Sequence, residues 1–79
     1  SVSPNPGTGL FQLNMQQAPA ALRGEVFDLT GRSLRRMDFT PGNGAFQTLI
    51  DVQDLPQGIY ILRLTDGGRT GALRLSIAR

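Results

Sequence analysis

The sequence predicts an all-β fold, a small antiparallel β-sandwich, and three observations support this prediction. Apolar and polar residues alternate in runs of about five to eight residues, the period of a strand with one buried face. Turn-forming residues separate these runs at short intervals. None of the 79 residues lies in a stretch with clear helical periodicity. Short, regularly spaced strands with turn signals between them are typical of a sandwich.

Six strands are predicted, at residues 10–16, 21–28, 33–39, 46–52, 58–65 and 70–78. In the first, Phe11, Leu13 and Met15 fall on one face. The second and third flank the turn at Gly31-Arg32, which predicts a hairpin. Between the first two strands, the alanine-rich residues 16–22 leave an extra helical turn open as an alternative.

The last three strands show the same alternation. Their core-facing side chains are predicted to be Phe46, Thr48, Ile50, Val52, Tyr60, Leu62, Leu64, Leu73, Leu75 and Ile77. Asp66-Gly67-Gly68 predicts a tight hairpin between the final pair, because glycine tolerates the positive φ of such turns. Residues 1–9 are polar and turn-forming, so we interpret them as a linker that leads into a domain of residues 10–79.

The composition argues against most enzymatic and metal-binding functions. The chain has no cysteine or histidine, so thiolate metal sites, disulfides and an imidazole general base are excluded. The eight basic residues are all arginine, are spread along the chain and are interleaved with six acidic residues. Nucleic-acid binding usually requires a clustered basic stripe, so we expect no nucleic-acid partner. We also expect no cofactor, and no membrane insertion because no apolar run approaches about 20 residues.

The carboxylates allow two further alternatives. Asp51 and Asp54 are the closest pair that could serve a glycosidase, but aspartates beside a turn usually accept backbone N–H groups. A calcium site would need several oxygens, and the candidates are Asp28, Asp51, Asp54 and Asp66. No dense D-x-D-x-D loop supports such a site. We therefore expect a protein that is not an enzyme and holds no metal.

Four short segments, in order, cover nearly the whole chain. The first is V-S-P-N-P at residues 2–6, and the second is V-F-D-L-T-G-R at residues 26–32. The third joins I-D-V at residues 50–52 to L-P-Q-G-I-Y-I-L-R at residues 55–63. The fourth is G-A-L-R-L-S-I-A-R at residues 71–79. Their motif and turn residues are Pro4, Asn5, Pro6, Asp28, Gly31, Arg32, Gly58 and Tyr60.

This ordered set resembles the type A C-terminal sorting domain of type IX secretion cargo. The resemblance implies a seven-stranded, immunoglobulin-like sandwich, one strand more than the alternation predicts. It also implies that the domain is the tail of a larger secreted protein of a Gram-negative bacterium. Its expected partners are the outer-membrane type IX translocon, the shuttle proteins and a sortase-like cysteine peptidase that removes the domain. The cargo would pass through the periplasm to the cell surface or the medium.

The sequence departs from the family pattern at two places. The family usually carries lysines around the final strand, where this chain has Arg74 and Arg79. Charge is retained, but the planar guanidinium differs from a compact ammonium group. An aromatic residue is common before P-N-P, and Ser3 stands there in this chain.

A physical route to recognition is strand addition to an exposed C-terminal edge strand. The residues expected to take part are Leu73, Arg74, Leu75, Ile77 and Arg79. The apolar members of this set could instead, or in addition, close the core. We expect the domain to be a monomer. The alternative function is an accessory adhesion or carbohydrate-binding sandwich that stays attached to its parent protein.

Overall fold

The computed structural model describes residues 2–4, 7–42 and 44–78, which form two antiparallel β-sheets around one core. The strands are β1 (Val2–Ser3), β2 (Leu10–Ala18), β3 (Leu22–Phe27), β4 (Ser33–Phe39), β5 (Gly44–Asp51), β6 (Gly58–Asp66) and β7 (Arg69–Ile77). A three-stranded sheet has the order β1-β2-β5, and a four-stranded sheet has the order β4-β3-β6-β7. The predicted β-sandwich is confirmed, as is the strand number that the family resemblance implies.

All six strands predicted from the alternation are present, with ends within two residues of the predicted ones. The additional strand, β1, lies inside the segment interpreted as a linker. Val2 pairs with Leu13 and Ser3 with Gln12, so this short strand lies along the edge of β2. Two residues are too few to show alternation, and therefore the sequence pattern does not reveal this strand.

Most of the core consists of side chains that the alternation places on the inner faces, whereas Phe46 and Thr48, also predicted to face the core, are only partly buried and lie outside the buried cluster. The inner side chains of β2 and β5 meet those of β3, β6 and β7 across the sandwich. The buried cluster comprises Phe11, Leu13, Val26, Ile50, Val52, Leu55, Tyr60, Leu62, Leu75 and Ile77. Met15, Leu64 and Leu73 are partly buried against it, as predicted. The helical turn considered for residues 16–22 is absent, because β2 continues as a strand to Ala18.

Both predicted hairpins are present. Asp66 pairs with Arg69 across the two-residue loop Gly67-Gly68, and Gly67 has a φ of 55°. The hairpin between β3 and β4 turns at Asp28 and Gly31, where the N–H of Gly31 donates to the carbonyl of Asp28 at 3.0 Å. The part of the chain that the structure describes includes no helix long and apolar enough to span a membrane.

Candidate functional site

The candidate site is β7, which is the edge strand of the four-stranded sheet beside β6. Leu75 and Ile77 are buried at 0% and 2% exposure, and Leu73 packs against the same core. These three side chains therefore help to close the core and are not available to a partner. Arg74 alternates with them and lies opposite Ile61 of β6, on the outer face of the sheet. Arg79, the last residue predicted to take part, lies outside the described residues.

The backbone of β7 is partly covered at its C-terminal end. The N–H of Gly7 donates to the carbonyl of Ser76 at 2.9 Å, and the N–H of Ala78 donates to the carbonyl of Gly7 at 2.9 Å. Gly7 thus forms a short parallel bridge to Ile77 on the side away from β6. Backbone N–H and C=O groups alternate in direction along a strand. Those of Thr70 and Ala72 therefore point away from β6, as those of Ser76 do. Within the described residues, no bridge covers that part of the edge.

Glycine is required at position 7 by this close approach. A Cβ there would lie 2.8 Å from the carbonyl oxygen of Pro4 and 3.1 Å from the Phe11 ring. Any larger residue would push the backbone away from β7. The open edge of β7 is therefore shorter than the sequence predicts, and it lies toward the β6–β7 hairpin.

The turn of the V-F-D-L-T-G-R motif is organised by one carboxylate. Asp28 accepts hydrogen bonds from the N–H and hydroxyl of Thr30 at 3.0 and 2.6 Å. It also accepts the N–H of Arg32 at 3.0 Å and pairs with the guanidinium of Arg32 at 3.3 Å. Gly31 has a φ of 90°, which only glycine adopts readily. The motif residues Asp28, Gly31 and Arg32 therefore build one turn, and these contacts give them a structural role.

These hydrogen bonds, above all the one from the Thr30 hydroxyl, lower the pKa of Asp28 below its ordinary value of 3.8. A carboxyl group with a lowered pKa in the folded state stabilises the fold above its unfolded pKa. That contribution is lost as the pH falls through the folded pKa. At pH 7, we expect the free energy of unfolding to be larger for the wild type than for Asp28→Asn. This difference should vanish well below pH 3.8. Urea unfolding across this range measures it.

Asp38→Asn is the matched control for this prediction. The Asp38 side chain is 82% exposed, and its one ion pair within the described residues is with Arg23, at 3.4 Å. An exposed pair of this kind contributes little, so we expect this variant to follow the wild type. A difference between Asp28→Asn and wild type that stayed constant from pH 7 to pH 2 would contradict the role of the Asp28 charge.

The L-P-Q-G-I-Y motif forms a second anchored turn. The Tyr60 hydroxyl donates to the carbonyl of Pro56 at 2.6 Å, and the ring is buried at 7% exposure. The bond fixes the loop before β6 in the manner of the tyrosine corner of immunoglobulin-like sandwiches. Gly58, between these two residues, has a φ of 156°. Gly58 and Tyr60 thus set the geometry of the loop and the start of β6, the strand that pairs with β7.

The outer face of the four-stranded sheet holds a small charged network. Glu25 contacts Arg63 at 3.0 Å and Arg36 at 3.4 Å, and the Arg63 guanidinium lies 4.5 Å from the centre of the Phe27 ring. A hydrogen bond from Ser33, followed by the hydrogen bond and charge of Arg63 and the charge of Arg36, lowers the pKa of Glu25. These arginines therefore stabilise the sheet surface next to β7.

Three of the four carboxylates considered for catalysis or calcium, Asp28, Asp51 and Asp54, have structural partners. Asp51 accepts the N–H of Gln53 at 3.1 Å, as predicted for an aspartate at a turn, and Asp54 pairs with Arg35. Among the described residues, no three acidic side chains come together in a group that could hold a metal ion. Of the P-N-P motif, Pro4 is described and contacts the Gly7 position, whereas Asn5 and Pro6 lie outside the described residues.

Two glycines, Gly7 and Gly9, have structural roles that the sequence pattern does not predict. Both lie in the segment interpreted as a linker, and only their spacing in P-G-T-G just before a strand could have indicated a close approach. Gly9 has a φ of 113°, and its carbonyl accepts the N–H of Val52 at 2.7 Å. The leading segment is thus held against both sheets, through β1 on one side and Gly7 on the other.

Comparison with known proteins supports the family resemblance. A family model described as "Secretion system C-terminal sorting domain" matches residues 1–78. No curated protein matches the chain. The match covers nearly all of the sequence, including the segment that carries β1 and Gly7 and the strand β7. The chain therefore belongs to the family of secretion system C-terminal sorting domains, which are type IX secretion signals.

Proposed function

We propose that this domain directs a larger cargo protein through the outer-membrane type IX translocon and is then removed by a sortase-like cysteine peptidase. The family match carries the sorting role. The domain acts as a signal rather than as an enzyme, by being bound. The cargo crosses the periplasm, where shuttle proteins and the translocon encounter the folded domain, and it reaches the cell surface or the medium.

The edge of β7 is the surface that the receptor recognises in this proposal. The outward backbone groups of Thr70 and Ala72 offer donors and acceptors to an added strand. Arg69 and Arg74 flank them and select the partner by charge. Leu73, Leu75 and Ile77 contribute indirectly, because they hold the strand in place from the core. Arg79 adds a further positive charge to the same segment.

In this proposal, the peptidase cuts a peptide bond upstream of β1. Val2 and Ser3 are paired with β2, and a peptidase needs an extended, unpaired segment in its active site. A cut before residue 2 would release a folded domain, because it leaves β1 and all the core side chains of the described residues in place.

The proposal is tested by fusing the domain to the C-terminus of a periplasm-targeted fluorescent protein in a host with a type IX system. We expect reporter at the surface or in the medium, with the domain cleaved away. We expect Arg69→Glu/Arg74→Glu to reduce export by at least about tenfold, the factor that corresponds to 1.4 kcal/mol of binding free energy. The amount of reporter outside the cell, relative to the periplasm, is the measurement.

Arg23→Glu provides the control, because Arg23 lies on the same sheet with its side chain 71% exposed, but on β3, which β6 separates from β7. Equal export of both variants at wild-type level would contradict recognition through the β7 arginines. Reporter that stays in the periplasm with a folded wild-type domain would contradict the sorting role. It would favour the accessory adhesion or carbohydrate-binding module, which remains attached to its parent.

A further inference from the structure

The two sheets of the sandwich differ sharply in charge. The strands of the three-stranded sheet, β1, β2 and β5, carry a single charged side chain, Asp51. All the other charged residues that the structure describes lie on the four-stranded sheet or in turns and loops. The three-stranded sheet presents mainly amide, hydroxyl and apolar side chains to solvent, including Leu10 at 37% exposure and Leu49 at 62%.

Strand β5 forms an edge of this sheet, with β2 on one side only. The N–H of Val52 donates to the carbonyl of Gly9, which continues the pairing of β2 with β5. Because backbone groups alternate in direction, the even-numbered residues of β5 point to β2 and the odd-numbered ones point outward. Gln47 and Leu49 therefore direct their N–H and C=O groups to the open side, and no backbone partner meets them within the described part of the chain.

Natural proteins usually protect such edges with charged side chains, proline, or a covering segment. The edge strand β4 carries Arg35, Arg36 and Asp38, and β7 carries two arginines and is covered at one end by Gly7. Between Gly44 and Ile50, β5 has no charge and no proline. Of the long edge strands, β5 therefore has the least of these protections, since its single charge, Asp51, lies at the end of the strand.

We propose that β5 is a self-association surface, whose occupant is β5 of a second copy of this chain, paired antiparallel about a two-fold axis. Between Gly44 and Ile50, a charged partner strand would find no opposite charge on this edge. A second copy matches it, because a two-fold axis at Gln47 or Thr48 brings no like charges opposite each other. Leu49 and Gln47 then meet neutral side chains of the other copy, and the two three-stranded sheets join into one.

The pairing extends over few residues, so its buried area lies in the range of weak and transient interfaces. The dimer therefore forms only in concentrated protein, and a dilute domain is the monomer expected from the sequence. Dimerisation leaves β7 uncovered, because β7 is an edge of the other sheet. The proposal is independent of the proposed sorting role.

Sedimentation equilibrium of the whole domain from micromolar to about 1 mM concentration tests the proposal. We expect the wild-type mass to rise from that of one chain toward that of two. Gln47→Lys/Leu49→Lys places charges on both outward positions, and we expect at least about tenfold weaker association, since like charges across a strand pair repel. A matched control is Gln16→Lys/Leu29→Lys, with the same residue types and charge change at exposed positions off this edge.

The result expected is loss of association in the first double variant and its retention in the second. A wild-type protein that stays monomeric up to the highest concentration would overturn the proposal, and so would equal loss in both variants. NMR spectra of the wild type provide a test that needs no substitution. On dilution, the amide signals of Gln47 and Leu49 should shift, and shifts confined to β4 or β7 would overturn the assignment to β5.

Discussion

We expect removal of residues 74–79 to unfold the domain, and unfolding is by itself enough to abolish export of the fused reporter. Two fully buried side chains, Leu75 and Ile77, lie in the deleted segment. Truncating one buried leucine or isoleucine to alanine typically costs about 2–5 kcal/mol. A domain has a total stability of only about 5–15 kcal/mol, and a small domain lies toward the lower end. The loss of both side chains and of their backbone pairing with β6 exceeds what the fold can tolerate.

Circular dichroism with thermal or urea unfolding measures this effect. We expect the deletion variant to show no cooperative transition, whereas Arg69→Glu/Arg74→Glu retains the wild-type midpoint within a few degrees. The comparison separates the fold from the signal, because the deletion removes both, whereas the double substitution keeps every buried core side chain. A deletion variant that unfolded cooperatively near the wild-type midpoint would show that β7 is dispensable for the core.

The second large effect is expected at a residue outside the predicted strands. Gly9→Ala should destabilise the domain by about 2–5 kcal/mol, from two causes. An L-residue at positive φ costs roughly 1–2 kcal/mol, and Gly9 has a φ of 113°. In addition, a Cβ would lie 2.7 Å from the Cα of Gln53, and crowding of this kind costs about 1–3 kcal/mol. The shift would also weaken the bond from Val52 to the carbonyl of Gly9.

Urea unfolding, monitored by far-ultraviolet circular dichroism, provides the measurement. Tryptophan fluorescence cannot serve as the probe, because the chain contains no tryptophan. Gly68→Ala is the matched control. It introduces the same Cβ in a turn where nothing lies within 4 Å and where no positive φ is required. We expect this control to stay within about 1 kcal/mol of wild type. Equal stability of the two variants would contradict the close approach of Gly9 to the loop after β5.

Much of the architecture was predictable because burial on one face of a strand leaves a period of two in the sequence. Phe11 and Leu13, Tyr60 and Leu62, and Leu75 and Ile77 show it clearly, and each of these side chains is buried. The hairpin at Gly67-Gly68 was predictable from glycine alone. Strand β1 was not, because two residues carry no period, and the family resemblance was the only indication of a seventh strand.

The candidate site was predicted only in part. The sequence placed an apolar strand with arginines at residues 70–78, and the structure makes it an edge strand of the four-stranded sheet. That Gly7 covers the C-terminal end of this edge depends on the chain returning to β7 from a different part of the sequence. Similarly, the Tyr60 hydroxyl reaches Pro56 only because the loop folds back on the strand.

The class of the fold, the inner faces of β2, β5, β6 and β7 and the two tight turns followed from the sequence. These features depend on neighbours within a few residues, where side-chain alternation and backbone conformation act directly. The edge strands, the glycines that no larger residue can replace and the backbone groups left open became evident from the three-dimensional structure. Those properties arise from contacts between segments far apart in the chain, such as Gly7 with Ser76 or Gly9 with Val52, and local patterns carry no record of them.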